Sequence, residues 1–285
     1  MSKDAFISLV EDDITKNHPH LLKLFRIYAD EAIFWRFHLS SDVDALGQGS
    51  RLLEVGAGSL LLSCQLKAEG FDVTSLDPIG GGFTHFDALR QLVLKAAREN
   101  NCVPTLIADP AESLQIETFF DYAFSTNVME HVSDYGEVLR RVVMSLRVSG
   151  TYRFTCPNYL FPYEPHFNIP TLFSKALTEK IFKRFIDQST KVVDPVGTWL
   201  SLNWITVPKI REAMDRIPQG SISFQKELTV KMMRRLISDT SFADRKAGLI
   251  RTLAVVFLRL SGHKLVRLMP ATFLPTIDCR IVRNY

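Results

Sequence analysis

A chain of 285 residues with 46% hydrophobic content holds enough apolar material for a substantial core, in one large domain or a domain with a cap. Its net charge of +3 is too near balance to mark nucleic acid as a substrate. Cys64, Cys102, Cys156 and Cys279 lie far apart, without disulfide or metal-ligand spacing, which argues for a reducing, cytoplasmic setting. No apolar run has the length of a membrane span, and the acidic start (Asp4, Glu11, Asp12, Asp13) does not read as a signal peptide.

Residues 5–40 carry helical spacing, first around Phe6, Ile7 and Val10, then around Leu21, Leu22, Leu24, Phe25 and Tyr28. Residues 51–58 then read Arg-Leu-Leu-Glu-Val-Gly-Ala-Gly. Leu52, Leu53 and Val55 suit a buried parallel strand. Gly56 and Gly58 have no Cβ, so the backbone can turn sharply there and approach a ligand closely. The run from Ser59 to Leu66 opens a helix whose N-terminal amides face that ligand. Phe71 to Leu76 predicts the second strand and sets Asp77 beside the first loop, where a carboxylate can accept both hydroxyls of a ribose. The structural alternative for Asp77 is a helix N-cap. Gly80-Gly81-Gly82 reads equally as a flap beside the ribose or as a wide turn.

Val103 to Ala108 predicts a third strand and Phe120 to Ser125 a fourth. Val138 to Val143 is spaced as a helix, and Leu146 to Gly150 turns into a strand over Thr151 to Thr155. From residue 50 to about 158 strands and helices alternate, the pattern of a doubly wound, mostly parallel sheet. After Asn158 the alternation stops. Pro162, Pro165, Pro170, Pro195, Pro208 and Pro218 punctuate the next sixty residues, with helical stretches from Leu172 to Ile186 and Pro208 to Ile217. Strands at Ser221 to Phe224 and Thr276 to Val282 complete the series. The organisation expected is an N-terminal helical cap (1–48), a nucleotide-binding core (49–158), a lid insertion (159–218) and a C-terminal part completing the core (219–285).

Two cofactor families share the first loop's geometry, and the third glycine separates them. A dinucleotide fingerprint wants G-x-G-x-x-G, but its last position here is Leu61. With Glu54 ahead of Gly56, the segment instead resembles motif I of the class I S-adenosylmethionine-dependent methyltransferases. Asn127-Val128-Met129-Glu130-His131-Val132, after the fourth strand, resembles the same family's Asn-x-Leu-Glu-His-Val string. Val148-Ser149-Gly150 stands where the family has Pro-Gly-Gly, and Cys156-Pro157-Asn158-Tyr159 ends the fifth strand as it does in these enzymes. The resemblance covers residues 50–158 and implies a Rossmann-like, seven-stranded α/β fold, with S-adenosyl-L-methionine as cofactor.

It also implies roles for particular residues. Gly56 and Gly58 would approach the methionine part, Glu54 would order their loop, and Asp77 would hold the ribose. Asp109 would meet the adenine amino group, with Glu112 as the fallback, and Asn127 would lie near the methionine moiety. The string Pro162-Tyr163-Glu164-Pro165-His166 resembles a subgroup of bacterial-type methyltransferases. Its prolines restrict the backbone, so Glu164 and His166 are presented with little freedom. A histidine, with an ordinary pKa of about 6.5, suits acceptance of a hydroxyl proton. His166 is therefore the candidate base and Glu164 its orienting partner, against a purely structural turn; His131 is the second candidate, against a role in starting a helix.

Trp199, Trp204, Tyr159, Phe161, Tyr163 and Phe167 make the lid aromatic; they would form its own core, or else a pocket for a planar acceptor. Residues 245–285 hold eight Lys/Arg against one Asp, interleaved with Leu249, Ile250, Val255, Val256, Phe257, Leu260, Leu265, Leu268, Met269 and Phe273. Such a segment packs on the sheet with basic residues outward, or makes peripheral contact with an anionic membrane. The expected activity is O-methylation of a small-molecule or lipid- or glycan-linked acceptor. Metal-independent transfer is favoured, because no clustered carboxylates resemble the catechol-type metal site. Nitrogen or carbon methylation and a non-catalytic cofactor-binding regulator are the alternatives.

Overall fold

The computed structural model describes residues 3–78, 87–172, 174–190, 192–239, 242–243, 248–260 and 262–285. Gly80-Gly81-Gly82 lies outside the described residues, as do the side chains of Leu249 and Ile250. The strands are β1 (Arg51–Val55), β2 (Asp72–Leu76), β3 (Thr105–Ile107), β4 (Phe120–Thr126), β5 (Leu146–Pro157), β6 (Gly220–Phe224) and β7 (Thr276–Arg283). They form one seven-stranded sheet in the order β3-β2-β1-β4-β5-β7-β6. β1 runs parallel to both β2 and β4, and β2 runs parallel to β3. This is the Rossmann-like architecture expected.

The chain divides into two compact units. The first comprises Met1–Thr126, Arg140–Tyr152 and Val282–Tyr285. Here β1 lies between two neighbours, so Leu52, Leu53 and Val55 are buried and the strand reads as an unbroken apolar run around Glu54. Helices α1 (Ala5–Asn17) and α2 (Leu22–His38) form where the sequence predicts them. Phe6, Ile7, Val10 and Ile14 are the buried face of α1, at helical spacing. A short α3 (Ser40–Val43) follows, and α4 (Leu61–Ala68) and α5 (Asp87–Glu99) come after β1 and β2. Buried Arg36 of α2 grips Glu69 at the end of α4 through two nitrogens, at 2.6–3.0 Å, and reaches Asp44 at 2.7 Å.

The second unit comprises Asn127–Leu139 and Arg153–Ile281; α6 (Tyr135–Ser145) has residues in both units. Two of the lid's prolines start helices rather than hold loops. Pro195 stands in the first turn of α8 (Pro195–Ser201), behind an Asp194 cap that accepts the Gly197 amide at 2.9 Å. Pro208 does the same in α9 (Val207–Met214), behind Thr206. The preceding helix, α7 (Lys175–Asp187), starts three residues later than expected, because the Ser174 hydroxyl caps it by accepting the Leu177 amide. Helices α10 (Glu227–Ser238), α11 (Gly248–Arg259) and α12 (Gly262–Leu268) lead to β7.

Four of the six aromatics named between residues 159 and 204 are core, and Phe161 and Tyr163 are half-buried. Tyr159, Phe167, Trp199 and Trp204 are buried, with Tyr159 stacked on Trp204 at 4.4 Å and Trp199 edge-on to both Phe167 and Trp204 at 5.7 Å. One turn differs from expectation in its mechanism. At Val148-Ser149-Gly150 the left-handed residue is Ser149 (φ 67°), not the glycine. Gly150 is needed for space, since a Cβ there would meet the Arg147 carbonyl at 2.8 Å.

Candidate active site

In the first unit, the carboxyl ends of three strands are in step. Val55 is paired with Leu76, and Leu76 with Ile107. The next residues continue the ladder: the Gly56 amide donates to Leu76 O at 2.7 Å and the Asp77 amide to Ile107 O at 3.0 Å. Glu54, Gly56, Gly58 and Asp77 are thereby gathered at one edge, where open α/β sheets bind ligands. Gly56 (φ 76°) and Gly58 (φ 46°) are both left-handed, which only glycine adopts at little cost. Leu60 (φ 66°) is also left-handed and carries a fully buried side chain, an outlier of the kind that clusters at ligand loops. Nothing in the sequence signalled it.

Glu54 sits behind this loop, buried, and accepts a hydrogen bond from Ser63, whose oxygen in turn accepts from Ser75 at 2.6 Å. Burial pushes its carboxyl up to about 8 despite the Ser63 bond, with the charge of Asp77 adding to the rise. Helix α4 begins without a side-chain cap, so its first-turn amides suit an anionic group. Among the described residues Asp77 caps no helix; its Oδ2 pairs with Arg90 of α5 at 3.0 Å. Burial raises the Asp77 carboxyl, an effect that Arg90 opposes. Arg90 was not legible as a site residue, having no motif around it. Asp109 is exposed, two residues past the end of β3, and Glu112 follows in a half-buried 3-10 turn (Ala111–Ser113).

A second group assembles in the other unit. Asn127 follows β4 with φ 56°, exposed, its amide bonded to Thr155 O at 2.8 Å. Asn203, another residue the sequence did not flag, clasps the segment that follows. Its side-chain amide donates to Met129 O and Val132 O at 2.7 and 2.9 Å, and its backbone amide to Glu130 O at 2.8 Å. Glu130 is thus carried inward and fully buried; neither carboxylate oxygen has a hydrogen-bond partner among the described residues. Burial pushes it up to about 7. His131 Nδ1 lies 2.8 Å from Ser201 Oγ. Burial, with His166 nearby, lowers His131 to about 3, so the ring is neutral.

The Pro-Tyr-Glu-Pro-His segment closes on itself through an antiparallel bridge between Glu164 and Ile169. Glu164 is fully buried. Its Oε1 lies 2.6 Å from His166 Nδ1 and its Oε2 accepts the Phe167 amide at 2.7 Å. Burial alone would raise this carboxyl, but the bonds from His166 and from the Phe167 and His166 amides hold it below its ordinary value. The His131 and His166 rings stand edge to face with centroids 5.2 Å apart. Donor atoms of Glu130, His131 and His166 all lie within 4.8 Å of one another. The sequence indicated the three catalytic candidates but not the buried carboxylate between the two histidines.

Residues 53–154 match the family model described as a methyltransferase domain. The fold is shared with solved structures at 14% identity. One is a geranyl diphosphate methyltransferase in complex with GPP and sinefungin (TM-score 0.51, covering 92% of this chain and 79% of that one). Another is an S-adenosylmethionine-dependent methyltransferase from Mesorhizobium loti (TM-score 0.50, covering 86% and 97%). Residues 53–154 thus carry a methyltransferase domain, and the chain has the fold of class I S-adenosylmethionine-dependent methyltransferases.

The chain belongs to the same family as the uncharacterized protein Rv1509 of Mycobacterium tuberculosis, to which it is 42% identical over 281 residues, 99% of this chain and 95% of the relative. It is also similar to the ubiquinone biosynthesis O-methyltransferase of Rickettsia conorii, 26% identical over 51% of this chain and 44% of that one. No described helix is long and apolar enough to cross a membrane, and all four cysteines are buried free thiols.

Proposed function

We propose that the enzyme methylates an oxygen of a small-molecule or a lipid- or glycan-linked acceptor. S-adenosyl-L-methionine supplies a sulfonium methyl, displaced in line by a lone pair of the acceptor. Gly56, Gly58 and the start of α4 bind its methionine part, Glu54 orders their loop, and Asp77 takes the ribose. Asp109 reaches the adenine, with Asn127 beside the methionine moiety. Holding nucleophile and methyl in line is itself a large part of such catalysis, effective molarities reaching about 10⁵–10⁸ M.

The observation that carries the oxygen reading is the contact between buried Glu164 and His166, 2.6 Å long. It turns Nδ1–H toward the carboxylate, so that in the neutral ring the lone pair is on Nε2. A hydroxyl acceptor needs such a group to be activated, and a carboxylate, already ionised, does not. We therefore assign activation of the acceptor to His166, oriented by Glu164, with His131 beside it. The similarity to a ubiquinone biosynthesis O-methyltransferase supports the same choice. The test is His166→Ala: turnover of a hydroxyl acceptor drops by about 10²–10⁴-fold while affinity for S-adenosylhomocysteine holds. Retained turnover would remove the assignment. Full inactivity of the unaltered chain across broad acceptor panels, with donor still bound, would favour a regulator.

The C-terminal helices bear on the acceptor's class. Val256, Leu260, Leu265, Leu268 and Phe273 are exposed beside Arg259, Lys264 and Arg267. Apolar side chains among lysines and arginines match an anionic membrane surface, which is where a lipid-linked acceptor would be met.

A further inference from the structure

We propose that Glu130, His131 and His166 hold a divalent transition-metal ion. This rests on the reading of the cluster as the acceptor-activating group; with the ion bound, the His166 Nε2 lone pair is a ligand, and the ion in place of the free ring would lower the pKa of the acceptor hydroxyl.

The geometry is nearly that of a site. One donor atom from each residue lies within 4.8 Å of the others, and His131 Nε2 is 4.0 Å from Glu130 Oε1. Ligand atoms bound to one zinc-class ion at about 2.0–2.2 Å stand somewhat closer together, so a contraction of about an ångström completes it. The carboxylate gives an independent reason. Glu130 is fully buried with neither oxygen hydrogen-bonded among the described residues, an arrangement expensive for a carboxylate and rare without a purpose. A cation held with the two rings would neutralise the carboxylate and bind one of its oxygens.

Both rings are also oriented as ligands. Ser201 donates its one hydroxyl hydrogen to Thr198 O at 2.8 Å, so toward His131 it accepts. His131 therefore carries its proton on Nδ1 and its lone pair on Nε2, the nitrogen turned toward Glu130. Glu164 imposes the same tautomer on His166. A histidine whose far nitrogen is held by a buried carboxylate or hydroxyl is the usual outer shell of a metal site. The segment's shape follows: Asn203 ties the backbone around Glu130 and His131, and the Glu164–Ile169 bridge fixes the loop bearing His166.

Two imidazoles and one carboxylate select zinc, iron(II), cobalt(II) or nickel(II) over magnesium or calcium. Three protein ligands leave a coordination position open, and an oxygen ligand suits it. The sequence argued against a metal because it shows no run of carboxylates. That argument addresses the all-oxygen type of site, and this one is built from nitrogen.

The test is calorimetric titration of chelator-treated full-length protein with zinc sulfate, repeated with cobalt(II) chloride under visible spectroscopy. One ion should bind per chain, with cobalt d–d bands of a nitrogen and oxygen site. Glu130→Gln and His166→Ala should each abolish saturable binding or weaken it by 100-fold or more, and Glu164→Gln by roughly 10–100-fold. Where Glu130→Gln fails to fold, as judged by circular dichroism, His166→Ala at the half-buried ring carries the test. Absence of saturable binding, or binding unweakened by both substitutions, overturns the proposal. A chain that takes no zinc yet methylates hydroxyls loses the metal and keeps the oxygen reading. One that takes zinc through these residues yet methylates only nitrogen or carbon keeps the metal and loses the oxygen reading.

Discussion

The Asp77 carboxylate lies 3.0 Å from the Arg90 guanidinium, and the same nitrogen reaches the Gly58 carbonyl at 3.4 Å. One side chain of α5 therefore ties the acidic residue at the end of β2 to the glycine turn after β1. The side chains of both Asp77 and Arg90 are largely buried, at 20% and 14% exposure, so solvent screens their attraction less than at an open surface. The pair holds the carboxylate in place, so under the proposed role of Asp77 at the ribose Arg90 is a positioning residue.

Asp77→Ala should weaken S-adenosylhomocysteine binding by about ten- to a hundredfold, the worth of hydrogen bonds to a charged group. Arg90→Ala should cause a smaller loss of the same sign, because the carboxylate remains but is no longer held. Isothermal titration of both variants decides the matter. Equal affinity in Asp77→Ala and the unaltered chain would take the ribose away from this residue.

Stability should depend on pH through Glu54. Its ordinary value of 4.5 applies to the unfolded chain, whereas the folded chain holds the proton up to about 8. Between those values the native state keeps a proton that the unfolded state has lost. Stability is thus fully present below 4.5, falls as pH rises through the window, and levels off above about 8. Glu54→Gln, neutral at every pH, lacks this slope. Thermal melts should show the variant gaining on the parent as pH rises, and two parallel curves would contradict the shift.

Glu164→Gln removes the charge that orients His166 but keeps the side chain's shape. Acceptor turnover should fall with donor affinity unchanged, and less severely than in His166→Ala, since the ring itself survives. Steady-state kinetics separate the two. Should Glu164→Gln match the parent in kcat while only its melting temperature drops, the residue is structural.

Arg153 meets Asp278 through two parallel hydrogen bonds of 2.9 and 2.8 Å, both side chains buried. Removing one partner strands the other's charge away from water. Asp278→Ala should destabilise the protein by about 3–5 kcal/mol, measured by urea unfolding. The double variant Arg153→Met with Asp278→Leu should recover much of that loss.

Leu260→Asp together with Leu268→Asp should abolish co-sedimentation with phosphatidylserine vesicles while leaving soluble-acceptor turnover intact. Binding to neutral vesicles as strong as to anionic ones would argue against the basic residues' part in it.

Wherever backbone and side chain answer to near neighbours, the sequence was sufficient. The burial of Leu52, Leu53 and Val55, the left-handed Gly56 and Gly58, and the apolar face of α1 follow from a continuous apolar run, a missing Cβ and a 3.6-residue period. The glycine turn after β1, the Glu130-His131 segment after β4 and the Glu164–His166 segment after β5 were each legible because each is a contiguous string. Even where the chemistry of a turn changed, at Ser149 and Gly150, its position was legible.

What the sequence could not carry was anything made by residues distant along the chain. Arg90 becomes part of the donor loop only when α5 packs, Asn203 and Ser201 reach the Glu130-His131 segment only when the lid folds, and Glu130 meets His166 only then. Burial, which shifts Glu54, Glu130 and His131 from their ordinary titration, is likewise a sum over the whole packed neighbourhood. A one-dimensional pattern encodes local geometry; the dielectric around a charge and the partners of a distant ring exist only in three dimensions.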